Sequence, residues 1–155
     1  MPVNQKEHPT LNSARPAMTA ALMERTGLDD GRLTTLVHAF YGKIRKDAVL
    51  GPIFDERIAD WEPHLARMVE FWSSVALMTG RYHGAPVPKH VGLPVDWSHF
   101  ERWLALFRET AHETCTPEGA AHVIERAERI ARSLNIAVTD AAEAAANPHA
   151  VPRLG

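Results

Sequence analysis

The chain has 155 residues, 45% hydrophobic and 23% charged, which suits one domain with a real core and is too short for two ordinary ones. Lys+Arg number 17 against 19 Asp+Glu, and a formal net charge of -2 excludes a generally basic nucleic-acid footprint. The lone Cys115 excludes an internal disulfide, no apolar run reaches the ~18 residues of a membrane span, and the opening MPVNQKEHPTLNSAR has no apolar signal core, so a cytoplasmic protein is expected.

Residues 1–16 are polar with three prolines and read as a disordered arm. An all-α domain is expected over 17–136, because its apolar residues recur at steps of three and four. The first helix, 17–26, stops at Gly27. The second starts after Asp29-Asp30 and carries Leu33, Leu36, Val37, Phe40, Tyr41 and Ile44 on one face. Gly51 and Pro52 then break the helix. A long helix is predicted from Asp60 to about Thr79, with Asp60 as cap, Pro63 in the first turn and a wide apolar face. Between 80 and 94 lie Gly80, Gly84, Pro86, Pro88, Gly92 and Pro94, which leave room for only one or two turns near 86–91. Asp96 caps a helix whose inner face holds Phe100, Trp103, Leu104 and Phe107. Thr116-Pro117-Glu118 starts the last one. Residues 137–155, rich in Ala with a few Pro, read as a flexible tail.

His64 falls on the inner stripe of the long helix, with Met68 and Trp72 one and two turns on. Taken alone, it reads more readily as a core histidine bonded to a carbonyl than as a residue aimed into a cavity. Tyr41 and Trp103 carry the same two readings. Together, three polar tips on the inner faces of three helices describe an apolar cavity with a few convergent donors. His90 sits in the rigid Gly/Pro-rich connection, and no HExxH or CxxC spacing accompanies it. A lone imidazole suits a metal whose other ligands come from a cofactor, as haem iron's do. His83, in the same connection, is its competitor and is expected at the surface. His38 and His99 fall off the inner stripes, His112 and His122 read as exposed, and His8 and His149 lie near the ends. Cys115 reads as an inert thiol near a helix end. Phosphate-loop and GxSxG motifs are absent.

The blocks Phe40-Tyr41-xx-Ile44-Arg45-Lys46-Asp47-xx-Leu50-Gly51-Pro52-Ile53-Phe54, Trp61-xx-His64, Phe71-Trp72, Tyr82-x-Gly84-x-Pro86-xx-Lys89-His90-xx-Leu93 and Trp103-Leu104-x-Leu106-Phe107 follow one another in that order. Over about residues 28–136 the chain thereby resembles the truncated haemoglobins of group III. The resemblance implies the truncated globin fold, a two-over-two helical sandwich around haem b. It implies that His90 is the proximal iron ligand, with Lys89 beside it in the same loop, and that Tyr41, His64 and Trp103 form the distal face. Met68, Phe71 and Trp72 would line the cavity, Phe54 would pack on the haem edge, and Arg67 would reach a propionate. It implies binding of oxygen, nitric oxide, carbon monoxide, cyanide or peroxide by a monomer served by a reductase. The chemistry implied is oxygen, nitric oxide or peroxide redox chemistry in place of bulk transport, with peroxidase-like or nitric oxide dioxygenase-like turnover as its enzymatic forms. The alternative is a haem-free helical interaction or regulatory domain, distinguished by a colourless protein after haem addition.

Overall fold

The computed structural model describes residues 11–146, and the expected ends at 1–10 and 147–155, with His8 and His149, lie outside the described residues. Among the described residues it is all-helical: α1 (Leu11–Thr26), α2 (Asp30–Lys46), α3 (Leu50–Arg57), α4 (Trp61–Leu77), α5 (Pro86–His90), α6 (Trp97–Thr114) and α7 (Pro117–Ala146). Helices α2 and α4 pack together, as do α6 and α7, and the two pairs meet where α2 lies on α6 and α4 on α7. Helix α1 braces α4 and α7, α3 covers α2, and α5 rests on α7. None of these helices is long and apolar enough to cross a membrane.

The starts of three helices follow from single aspartates. The carboxylates of Asp29, Asp60 and Asp96 accept backbone N–H groups of Arg32 (2.8 Å), Glu62 (3.3 Å) and Ser98 (2.9 Å), which satisfies donors that a first turn leaves unpaired. Thr116 Oγ1 accepts from Gly119 N at 3.1 Å at the start of α7 and donates to Thr26 O at 2.9 Å, which ties α7 to the end of α1. Gly27 ends α1 at φ +71°, a left-handed conformation that favours glycine.

The core is the joint apolar face of these helices, with Leu33, Leu36, Phe40, Ile44 and Phe107 at most 1% exposed. Burying a side chain of this size contributes about 1.5–3 kcal/mol each. Phe107 is stacked between Trp72 (4.9 Å) and Trp103 (5.6 Å), and Phe40 meets Trp103 edge-on at 5.3 Å.

Three stretches depart from the sequence-based expectation. The first helix starts at Leu11 and passes over Pro16, ahead of the expected start at 17. The last continues past 136 to Ala146, because 137–146 is dominated by alanine, the strongest helix former, and the next proline falls at 148. The segment 50–54, expected only to break a helix, begins one of its own. Pro52 occupies the third position of α3, where its missing N–H has no helical acceptor to lose. Asp47 supplies the cap, accepting from Val49 N (3.1 Å) and Leu50 N (2.9 Å), while Arg102 Nε on α6 donates to the same carboxylate at 2.7 Å. The corner before α3 is thus pinned to the helix that carries Trp103.

Candidate functional site

One cavity of about 680 Å³ lies within this frame, a volume in the ~300–1,000 Å³ range of cofactor and ligand sites. Every helix from α2 to α7 contributes to its wall. Tyr41 comes from α2, Phe54 from α3, Trp103 from α6, and Lys89 and His90 from α5. His64, Arg67, Met68, Phe71 and Trp72 come from successive turns of α4. All ten residues singled out by the sequence therefore line the same space. His83 does not line it and is exposed.

His90 is held by its own short helix. Its Nδ1 is 2.6 Å from the Pro86 carbonyl oxygen, which can only accept, so Nδ1 carries the proton. The other ring nitrogen, Nε2, is left with a free lone pair, the form in which an imidazole ligates a metal. Proline at the first position of α5 presets the backbone turn that starts the helix carrying this ring.

The polar groups from α2 and α4 are placed differently. Tyr41 is 6% exposed, and burial pushes its phenol pKa upward, so the hydroxyl keeps its proton. His64 meets Tyr41 edge-on with centroids 5.2 Å apart. Its Nε2 is buried and has no hydrogen-bond partner. Burial first, then the positive charges of Arg67 and Lys89 and the ring of His90, push the His64 pKa down to about 4, so it is neutral at pH 7. An orphaned buried nitrogen is costly in a finished core and fits a site whose partner is a bound ligand. The cavity walls, the free Nε2 of His90 and this orphaned nitrogen together fit a planar apolar group carrying a metal.

Three cations stand on the wall: Arg57 from α3, Arg67 from α4 and Lys89 from α5. Arg57 also approaches Gly92 O at 3.5 Å. Sequence reasoning missed Arg57, although it follows Phe54 by three residues and so shares a face of α3 with it. It also missed Tyr82, which lines the cavity edge-on to Phe71 at 5.1 Å.

Two further histidines correct the reading. His99, expected off the inner face, lines the cavity, because its Nδ1 turns back to accept the Asp96 N–H at 3.0 Å in a reciprocal cap. His122, expected to be exposed, is 8% exposed and lies 2.8 Å from Ala76 O through Nε2. Helix α7 packs on α1 and α4 as well as on α6, so its buried arc is wider than one stripe. His38 and His112 are exposed. Cys115 is half-buried, and burial pushes its thiol pKa up, away from reactive thiolate. Among the described residues, no three His, Cys, Asp or Glu gather as a metal cluster.

No family model matches the chain. A curated relative, the group 3 truncated hemoglobin ctb of Campylobacter jejuni, is 38% identical over 104 residues, which cover 64% of this chain and 82% of the relative. The crystal structure of a group III truncated hemoglobin from Campylobacter jejuni superposes with a TM-score of 0.68 at 34% identity, covering 72% of this chain and 91% of that one.

Proposed function

The chain belongs to the group III truncated haemoglobins, and from that premise we propose that it holds haem b in its cavity and binds oxygen or another small ligand there. One pairing within a single cavity carries the reading: His90 offers a free Nε2 because Pro86 takes its other nitrogen, and His64 presents an unpartnered buried Nε2.

In this reading His90 is the protein's ligand to the metal, and the carbonyl of Pro86 fixes its tautomer. Met68, Phe71, Trp72 and Phe54 give the cavity apolar walls that would exclude water from the cofactor. Arg67 and Lys89 on the wall would pair with the carboxylates of the cofactor. Haem, when bound, supplies an iron with one position open to a diatomic ligand, cyanide or peroxide. Tyr41, kept protonated by burial on the cavity wall, would supply a hydrogen-bond donor to a ligand held there. Trp103 would donate from α6, and neutral His64 would gate entry to the same space. Several donors around one ligand favour tight retention, which suits oxygen, nitric oxide or peroxide redox chemistry supported by a reductase better than bulk transport. A cytoplasmic monomer completes the proposal.

Absorption spectroscopy tests it. The purified protein reconstituted with haem is expected to show a Soret band. His90→Ala should lose it or hold haem weakly, while His83→Ala keeps the parent spectrum. A parent that stays colourless after haem addition overturns the reading in favour of a haem-free helical domain. A reversed pair of mutants overturns the assignment of His90.

A further inference from the structure

Trp61 is the first residue of α4, directly after the Asp60 cap. Its indole is half-buried and does not form part of the cavity wall. It stands against two polar residues of that wall, His64 and Tyr41. Its ring centroid is 5.6 Å from that of His64, nearly perpendicular at 89°, and 5.8 Å from that of Tyr41, tilted at 57°. The guanidinium carbon of the exposed Arg45 lies 4.5 Å from the centroid of the same indole.

The placement follows from helix geometry. Arg45 comes one turn after Tyr41 on α2, and Trp61 comes three residues before His64 on α4. The Arg45–Trp61 contact therefore joins the two helices that present Tyr41 and His64, on the same faces. Side chains on a helix lean toward its N-terminus, so the His64 ring leans back onto Trp61. His64 Nε2 has no hydrogen bond to fix the ring angle. What holds that angle is packing, and Trp61 supplies one side of it. Among the described residues Arg45 makes no ion pair that would draw it away from the indole.

We propose that Trp61, clamped by the cation of Arg45, is a positioning residue that fixes the angle of His64 and so sets how fast a small ligand enters the cavity. The proposal rests on the reading of that cavity as a haem site for small ligands. Without the indole, the imidazole gains rotamers that face solvent, and the passage beside it stays open longer. Two aromatic contacts are lost in Trp61→Leu, which corresponds to about a tenfold faster entry. Loss of an exposed cation–π contact in Arg45→Gln corresponds to about two- to fivefold.

The test uses the haem-loaded full chain, with carbon monoxide as the probe. Flash photolysis gives the association rate, and the infrared stretch of carbon monoxide reports which polar groups face it. Trp61→Leu is expected to speed association about tenfold and to split the infrared band as His64 samples several angles. Trp61→Phe, which keeps a ring in place, should return both toward the parent. Arg45→Gln should speed association on the parent background and have no effect in Trp61→Leu, because the clamp then has nothing to hold. Arg45 is exposed, so this arm survives even if Trp61→Leu fails to fold. Association rates within twofold of the parent in Arg45→Gln, or an Arg45 effect that persists in Trp61→Leu, overturn the proposal. A parent that takes up no haem, or no carbon monoxide, instead defeats the cofactor reading on which it rests.

Discussion

Replacing Tyr41 by Phe separates two consequences of one oxygen atom. The hydroxyl belongs to a residue only 6% exposed, and among the described residues no protein group bonds it. In the haem-free protein the hydroxyl lies on the cavity wall with no protein hydrogen bond to lose. Removing it at constant ring volume should leave stability unchanged or raise it by about 1 kcal/mol. The contacts of the ring with Phe40 (5.1 Å), Phe54 (5.9 Å) and His64 (5.2 Å) remain. In the proposed liganded protein the same hydroxyl donates to polarised oxygen, and a charge-assisted bond of this kind contributes about 1.5–3 kcal/mol. Its loss corresponds to roughly a ten- to hundredfold change in an equilibrium constant. Oxygen dissociation from Tyr41→Phe should accelerate by that factor, while the less polar carbon monoxide changes much less. Stopped-flow displacement of oxygen gives the rate, and urea unfolding of the haem-free variant gives the stability. An unchanged oxygen dissociation rate would refute the reasoning and move the donor role to Trp103 or His64.

Two other measurements probe the frame. The folded-state pKa of His64 lies at about 4, below its ordinary value of 6.5. Between those values the unfolded chain binds a proton that the folded one refuses, so stability falls as pH drops from about 6.5 to about 4 and levels below it. Urea titrations of the haem-free protein should show a shallower fall over that window in His64→Gln than in the parent, and identical slopes would mean that the His64 ring is solvated. His122 Nε2 reaches Ala76 O, one of the last carbonyls of α4, which have no partner within the helix. His122→Leu should therefore cost about 1–3 kcal/mol in urea unfolding with little change in the Soret spectrum, and a loss below about 0.5 kcal/mol would contradict the role of that bond.

Much of the architecture was legible because it is written locally. Asp29, Asp60 and Asp96 announce helix starts by chemistry confined to three or four residues, and the structure caps helices at all three. The inner stripe from Leu33 to Ile44 follows from spacing alone, as does the gathering of Tyr41, His64 and Trp103 around one space. What stayed hidden depends on helices closing over a second face and on side-chain caps that apolar spacing does not register. The buried state of His122 is set by α1 and α4 closing over a second face of α7. Gly51 and Pro52 look like breakers until the carboxylate of Asp47 takes the first N–H groups of α3. Gly51 also lies where a Cβ would come within 2.7 Å of Arg45 O, so its glycine serves a close approach as much as a turn. The cavity-facing side of His99 was lost because a ring nitrogen folding back onto a backbone N–H cannot be seen in apolar periodicity.

The short helix α5 has one further consequence. It buries none of its residues fully, and glycines at 80, 84 and 92 flank it. Little apolar surface opposes its lifting away, whereas α2 and α6 are locked by aromatic packing. The element that presents His90 can thus open as a local event while the rest of the frame stays folded. In the proposed haem protein, loading and loss of the cofactor would then depend on the free energy of releasing about fifteen residues and not on the global stability of the domain.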